Sequence, residues 1–250
     1  MKILIELAYD GSAYHGFQVQ GDKPTVQKAV GDALFSLFGQ RLSVSGCSRT
    51  DSGVHARQFF CTAEGALPES FPAERLPFAV RRYLPEDIVV LSSHRVPDSF
   101  HVRYDVLYKA YEYLILNRSI SDPFLVKRAY LFPYPVDEGI MNEAAACFVG
   151  THDFSAFRAS GSGTEGSVRT IKYFSAQRRG DTVAIKVAAD GFLYNMVRIL
   201  CGTLLDVNSG VIRMDDIPGV IASCDRSRAG ATLPAHGLYL NRVVYRQPVF

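Results

Sequence analysis

Residues 2 to 9, KILIELAY, open the chain with an Ile- and Leu-rich run that reads as a strand. Thr25 can cap the helix that follows. Val26, Val30, Ala33, Leu34, Leu37 and Phe38 recur on one helical face, and Gly39 stops the pattern. Leu42 and Val44 then alternate with polar residues, a turn-prone run occupies 48 to 56, and Gln58 to Thr62 resumes β-prone sequence. The run therefore joins two strands. Pro72 opens a helical stretch containing Leu76, Val80 and Leu84, and Ile88 to Leu91 supplies a strand after Pro85. The order is β-α-β-β-α-β.

That order recurs after about residue 105. In YKAYEYLIL, Tyr111, Tyr113 and Ile115 share one strand face and Ala110, Glu112 and Leu114 the other, a spacing that invites a stacking surface. A helix over roughly 137 to 149 carries Ile140, Ala144, Cys147 and Phe148, and strands near 169 to 177 and 182 to 188 flank Arg179-Gly180-Asp181 as a hairpin. Phe192 to Asp206 reads as a helix, 215 to 223 as a shorter one, and Leu238 to Tyr245 as the closing strand. The expectation is an α+β chain of two ferredoxin-like halves, 1–104 and 105–250, forming an extended, mainly antiparallel sheet with helices packed on it. No residue-by-residue repeat relates the halves. The Gly/Ser-rich stretch Ala159 to Ser167 falls inside the second and reads as a mobile surface loop, not a linker.

Composition narrows the class. With 48% hydrophobic residues in 250, the chain can bury a core and is not disordered. Its 27 basic residues nearly balance 25 acidic ones, so any RNA-binding surface must be local. Five cysteines, widely spaced and without a C-x-x-C pair, point to reduced core thiols and to neither a disulfide framework nor a zinc finger. The apolar run at the N-terminus is short and meets Glu6, and no stretch approaches ~18 uninterrupted apolar residues, so a soluble cytoplasmic protein with no membrane segment is expected. The acceptor-like tripeptide Asn117-Arg118-Ser119 lacks the secreted context that would give it meaning.

SRTDSGVHA, 48 to 56, carries more charge than a turn needs. Asp51, Ser52 and Gly53 satisfy turn chemistry, and Arg49 and His55 are surplus to it. A decorated surface turn is the bland reading. Asp51-Ser52-Gly53 matches the D-[ST]-G of aspartic proteases, but no second copy supplies the partner carboxylate. A hydrolase built on Ser52 and His55 would need triad geometry from near neighbours in a turn, with no marked oxyanion hole. Gly161 to Gly166 spells GxGxxG, yet a strand follows where a dinucleotide site needs a helix. His15, His94, His101, His152 and His236 show no metal-ligand spacing and read as packing or capping residues.

Seven stretches change this picture by occurring together and in order: YDGSAYHGFQ (9–18), RTDSGVHA (49–56), FHVRYD (100–105), YKAYEY (108–113), THDFSAF (151–157), FLYNMVRILCG (192–202) and HGLYL (236–240). The chain resembles the tRNA pseudouridine(38-40) synthase family over nearly its whole length. The resemblance implies an isomerase that converts uridine to pseudouridine at positions 38, 39 and 40 of the tRNA anticodon stem-loop. It implies no cofactor and no metal, a central catalytic cleft and a homodimer. It places the catalytic carboxylate on Asp51, as nucleophile or base, and the base-flipping arginine on Arg49. Tyr111 falls against the uracil ring, Arg198 pairs with the carboxylate, and Leu238 lines the pocket. Phe17 departs from the pattern, standing where tryptophan is expected.

The chemistry accords with those residue types. Breaking a C–N glycosidic bond, turning the uracil and rejoining it through carbon leaves composition and oxidation state unchanged. A guanidinium favours a neighbouring carboxylate's ionised form. A base paired in a helix must be extruded, and an aromatic ring can then stack on it. Arg57, Arg103, Lys109, Arg158 and Arg169 stand near the motifs as candidate contacts to the RNA backbone. The rival reading is a noncatalytic RNA-binding module, since ferredoxin-like sheets with exposed aromatics also bind RNA.

Overall fold

The computed structural model describes residues 1–68, 70–161 and 166–247. Ten strands and five α-helices lie among them, an α+β chain as the patterning predicts. Contacts divide it into two compact units: Met1–Leu107 with the stretch beginning at Tyr239, and Tyr108–Leu238. Residues 162–165, the middle of the Gly/Ser-rich stretch and of the GxGxxG run, lie outside the described residues.

In the first unit, β1 (Lys2–Tyr9) is antiparallel to β3 (His55–Glu64) on one side and to β4 (Ile88–Val96) on the other, and β2 (Ser43–Gly46) is antiparallel to β3. With α1 (Val26–Phe38) and α2 (Leu76–Val80) as connections, the spatial order β4-β1-β3-β2 is that of a ferredoxin-like β-α-β-β-α-β unit. Successive residues Ile3, Leu4 and Ile5 are all buried, so β1 is covered on both faces. The Thr25 hydroxyl accepts from the Lys28 amide at 3.4 Å, and Gly39 closes α1 at φ +70°, a left-handed conformation natural to glycine. The helix expected from Pro72 breaks into a short α2 between two 3-10 turns. Pro77, which fits only a helix's first turn, fixes where α2 starts.

The chain's last strand, β10 (Leu238–Tyr245), sets Tyr239 and Leu240 parallel to His55 and Ala56 of β3. Its Tyr245 hydroxyl donates to the Val102 carbonyl at 2.9 Å, and the ring packs edge-on to Phe60. The strand read as the close of the second half is thus counted by its contacts with the first unit.

In the second unit, β5 (Val106–Leu116), β9 (Thr182–Ala189), β8 (Val168–Arg179) and β7 (Gly150–Asp153) pair antiparallel in that order, and β6 (Tyr130–Leu131) adds parallel to β5. β6 and β7 add to the predicted elements. The β8–β9 hairpin turns at Gly180, φ +57°. Asp137 caps α3 (Glu138–Ala146) by accepting from the Gly139 and Ile140 amides. α4 (Met196–Asn208) is buried on most of its surface, and α5 (Ile217–Ser223) follows. Helix α4 starts four residues later than its periodicity predicts, because Asn195 sits at φ +59°, where no right-handed turn can continue.

All five cysteines are free thiols. Cys47, Cys61 and Cys201 are buried, and burial holds the Cys61 and Cys201 thiols well above the usual range. Cys147 is half-buried and Cys224 exposed, which corrects the reading of all five as core residues. No helix among the described residues is long and apolar enough to cross a membrane.

Candidate active site

The R-T-D run lies in the connection from β2 to β3, and the stretch after β1 is built to hold it. At the end of β1 the Tyr9 hydroxyl and Thr50 Oγ1 are 2.9 Å apart. The Phe17 amide donates to the Thr50 carbonyl at 3.4 Å, and the Gly53 amide and Ser52 hydroxyl both reach the Tyr14 carbonyl, at 3.2 and 3.3 Å. Two glycines permit this approach. A Cβ on Gly11 would stand 2.0 Å from the Val54 oxygen, and one on Gly16, which is at φ +84°, 2.3 Å from the Thr50 oxygen. Phe17 stacks on Phe59 at 4.3 Å between ring centres, so an aromatic ring keeps this place although tryptophan was expected. Tyr14 donates to Asp87 at 2.5 Å, and burial beside that carboxylate raises the phenol's pKa far above its ordinary value.

His55 belongs to the same support. It is 2% exposed, its Nδ1 lies 3.0 Å from the Gly11 amide and 3.1 Å from Asp10 Oδ1, and its ring stacks on Tyr239. It begins β3 as an anchor. The Ser52 hydroxyl is directed to a backbone carbonyl, so neither residue of the hydrolase reading is placed as a nucleophile and its base. Asp51 is half-buried, with its carbonyl accepting the Val54 amide at 3.1 Å. Arg49 is exposed and has no hydrogen-bond or ion-pair partner among the described residues. Tyr9→Phe is expected to lower the unfolding free energy by about 1 kcal/mol, read by urea denaturation, because it deletes the hydroxyl that meets Thr50. An unchanged midpoint would remove that bond from the account of the loop.

The second unit carries Tyr111, Arg198 and Leu238. Tyr111 on β5 is 7% exposed and meets Phe192 edge to face, 5.1 Å between ring centres. The open stacking face expected from alternation is thus not present: Tyr111, Glu112 and Tyr113 are all buried. Arg198, on the first turn of α4, donates through Nε to the Leu233 carbonyl at 2.6 Å and through Nη1 to Asn195 Oδ1 at 2.7 Å. These bonds fix the guanidinium plane. The Tyr113 hydroxyl donates to the Pro234 carbonyl at 2.8 Å, and a Cβ on Gly237 would stand 2.7 Å from the Tyr113 ring. Residues 233–238 are therefore pinned from α4 and from β5, which ties the backbone around Arg198 to the buried Leu238. Gly202 permits the same closeness, since a Cβ there would stand 1.9 Å from the Ala231 oxygen.

Arg49 and Asp51 share one loop of the first unit, and the other three predicted residues belong to the second, on β5, on α4 and at the start of β10. Sequence reasoning missed the supports: Tyr9, Tyr14 and Thr50 around the loop, Asn195 and the Leu233 carbonyl at Arg198, and Phe192 against Tyr111. Only the glycines of YDGSAYHGFQ signalled the first set in advance. Among the described residues no group of three or more His, Cys, Asp or Glu side chains is placed to hold a metal ion.

The loop that carries Asp51 and Arg49 belongs to a ferredoxin-like β-α-β-β-α-β unit of an α+β chain. The tRNA pseudouridine synthase family model matches residues 7–105 and 144–246. A tRNA pseudouridine synthase A from Acetivibrio thermocellus is 46% identical over 245 residues, covering 98% of this chain and 99% of the relative. One from Thermoanaerobacter sp. (strain X514) is 42% identical over 244 residues, covering 98% and 99%. The chain belongs to the tRNA pseudouridine synthase family, and its class is that of an isomerase acting on tRNA.

Proposed function

We propose that the protein isomerises uridine to pseudouridine in the anticodon stem-loop of tRNA, at positions 38, 39 and 40, with Asp51 as the catalytic carboxylate. The observation that carries this reading is the Asp51 loop itself. Its backbone is held by Tyr14 and Phe17, two glycines allow the contact, and Arg49 two residues away is uncommitted to any described partner. Asp51, nucleophile or base, acts in its ionised form on the ribosyl-uracil linkage, and the pairing with Arg198 that the resemblance assigns would favour that form. Arg49 takes the place vacated in the stem when the uridine leaves it. Tyr111 lies along one face of the extruded ring and Leu238 lines the pocket. The N1–C1′ bond breaks, the uracil turns, and C5 bonds to C1′ while its hydrogen is lost and N1 gains one, so the sum is an isomerisation with no cofactor. The reading extends to a homodimer in the cytoplasm.

Incubation with unmodified tRNA followed by pseudouridine mapping tests it. Pseudouridine confined to the anticodon arm is the expected result. Modification only elsewhere would overturn the substrate assignment, and tight binding with no conversion on any tRNA would leave a noncatalytic RNA-binding module.

A further inference from the structure

Beside the Asp51 loop, wholly within the first unit, is a cleft of about 280 Å³. The Ser48–Arg49 segment and the turn His101-Val102-Arg103-Tyr104 both line it, with Phe17 and Gly46. The turn is rigid. The His101 amide donates to Asp105 Oδ2 at 2.8 Å, and the Asp105 amide donates back to the His101 carbonyl at 3.1 Å. Val102, 2% exposed, plugs into the core where Tyr245 holds its carbonyl. His101 Nδ1 accepts from the Arg103 and Tyr104 amides, both at 3.2 Å, which assigns the ring proton to Nε2.

What this turn presents outward is unusual for side chains with nothing to hold. Tyr104 is 68% exposed, its ring 4.1 Å from that of His101 between centres. Arg103 lies over the Tyr104 ring at 5.8 Å and, like Arg49, has no ion-pair partner among the described residues. Among the described residues no Asp or Glu lines the cleft. Two guanidiniums with no ion-pair partner among the described residues, an aromatic ring held beside His101 and an imidazole Nε2–H form a surface complementary to one nucleotide: phosphate on a cation, base on the ring.

Resting on the functional reading above, we infer that this cleft is a second nucleotide subsite, which holds the residue adjoining the target uridine. Tyr104 stacks that neighbour's base, and Arg103 binds its phosphate. The role is binding and positioning. Once the target has left the stem, its neighbour loses a stacking partner, and a fixed tyrosine replaces it. The subsite therefore favours the extruded state of the RNA.

The test is a binding cycle on the anticodon stem-loop, with an abasic residue placed on the 5′ or the 3′ side of the mapped uridine. At one of the two positions the abasic residue is expected to weaken wild-type binding at least about fivefold, the low end of a base-aromatic stack. Tyr104→Leu should lose the same factor on the intact stem-loop and be insensitive to that abasic substitution. Arg103→Gln should flatten the slope of log K against log salt by about 0.7, one phosphate contact on a single strand. Wild type indifferent to both abasic residues, Tyr104→Leu as sensitive as wild type, or an unchanged salt slope in Arg103→Gln would each overturn the subsite. Both side chains are exposed, so matching thermal melts confirm that the variants are folded. Pseudouridine is counted in the same wild-type reactions. Conversion without coupling to Tyr104 would sink the subsite alone, whereas coupling without conversion would sink the catalytic reading alone.

Discussion

Asp51→Asn is expected to abolish pseudouridine formation, with a fall of about four orders of magnitude, while tRNA binding stays within about threefold of wild type. The substitution leaves the loop's backbone and hydroxyl anchors unaltered. They are the Thr50 carbonyl and hydroxyl, the Gly53 amide, the Ser52 hydroxyl and the Asp51 backbone carbonyl. What changes is one oxygen for one amide nitrogen. An amide keeps the size and loses both the negative charge and the basicity, so it can serve neither as a nucleophile at carbon nor as a proton acceptor. Single-turnover conversion of labelled tRNA, beside a filter-binding isotherm, reads the two quantities separately. Retention of even a tenth of the wild-type rate would remove Asp51 from the chemistry. Loss of binding in parallel with rate would make it an RNA contact.

The sequence showed best what depends on neighbours in the chain. The strand-helix order of the first unit, the Thr25 cap, the Gly39 stop and the turn at 48–56 follow from local pattern and stereochemistry, and all are in place. The failures have longer-range causes. Alternation in YKAYEYLIL identifies a strand and its two faces, but whether a face is open depends on what packs there, and Tyr111 and Tyr113 are buried. The length of α4 was overstated because periodicity does not reveal that Asn195 turns left-handed. β10 looked like the end of the second half because it comes last, whereas parallel pairing to His55 and Ala56 joins it to residues far away in sequence. The candidate site residues were assigned only through the family's motifs. Spacing alone could not bring Tyr9, Gly16 and Phe17 to Thr50, since that arrangement exists only after β1 and β3 have paired.

Gly16→Ala is expected to cost the enzyme about 100-fold or more in rate, although residue 16 is outside the reaction. Two penalties combine there. An alanine at φ +84° pays the left-handed strain of roughly 1–2 kcal/mol. Its Cβ would also stand 2.3 Å from the Thr50 oxygen, a contact with backbone that no rotamer can relieve. Either the 14–17 segment or the R-T-D loop must then move, and Asp51 follows Thr50 in the chain. A displacement of about 1 Å at a reacting group is worth on the order of 100-fold. Gly39→Ala is the internal control: it has a similar φ of +70°, with nothing within 4 Å of the added carbon. It should lower stability by about 1 kcal/mol through backbone strain and leave turnover unchanged. Thermal melts and initial rates on tRNA, run on both variants, separate displacement from strain. Equal loss of rate in the two would show that glycine matters at residue 16 through global stability, whereas loss confined to Gly16→Ala would show that Thr50 and Asp51 are positioned from beneath by the 14–17 backbone.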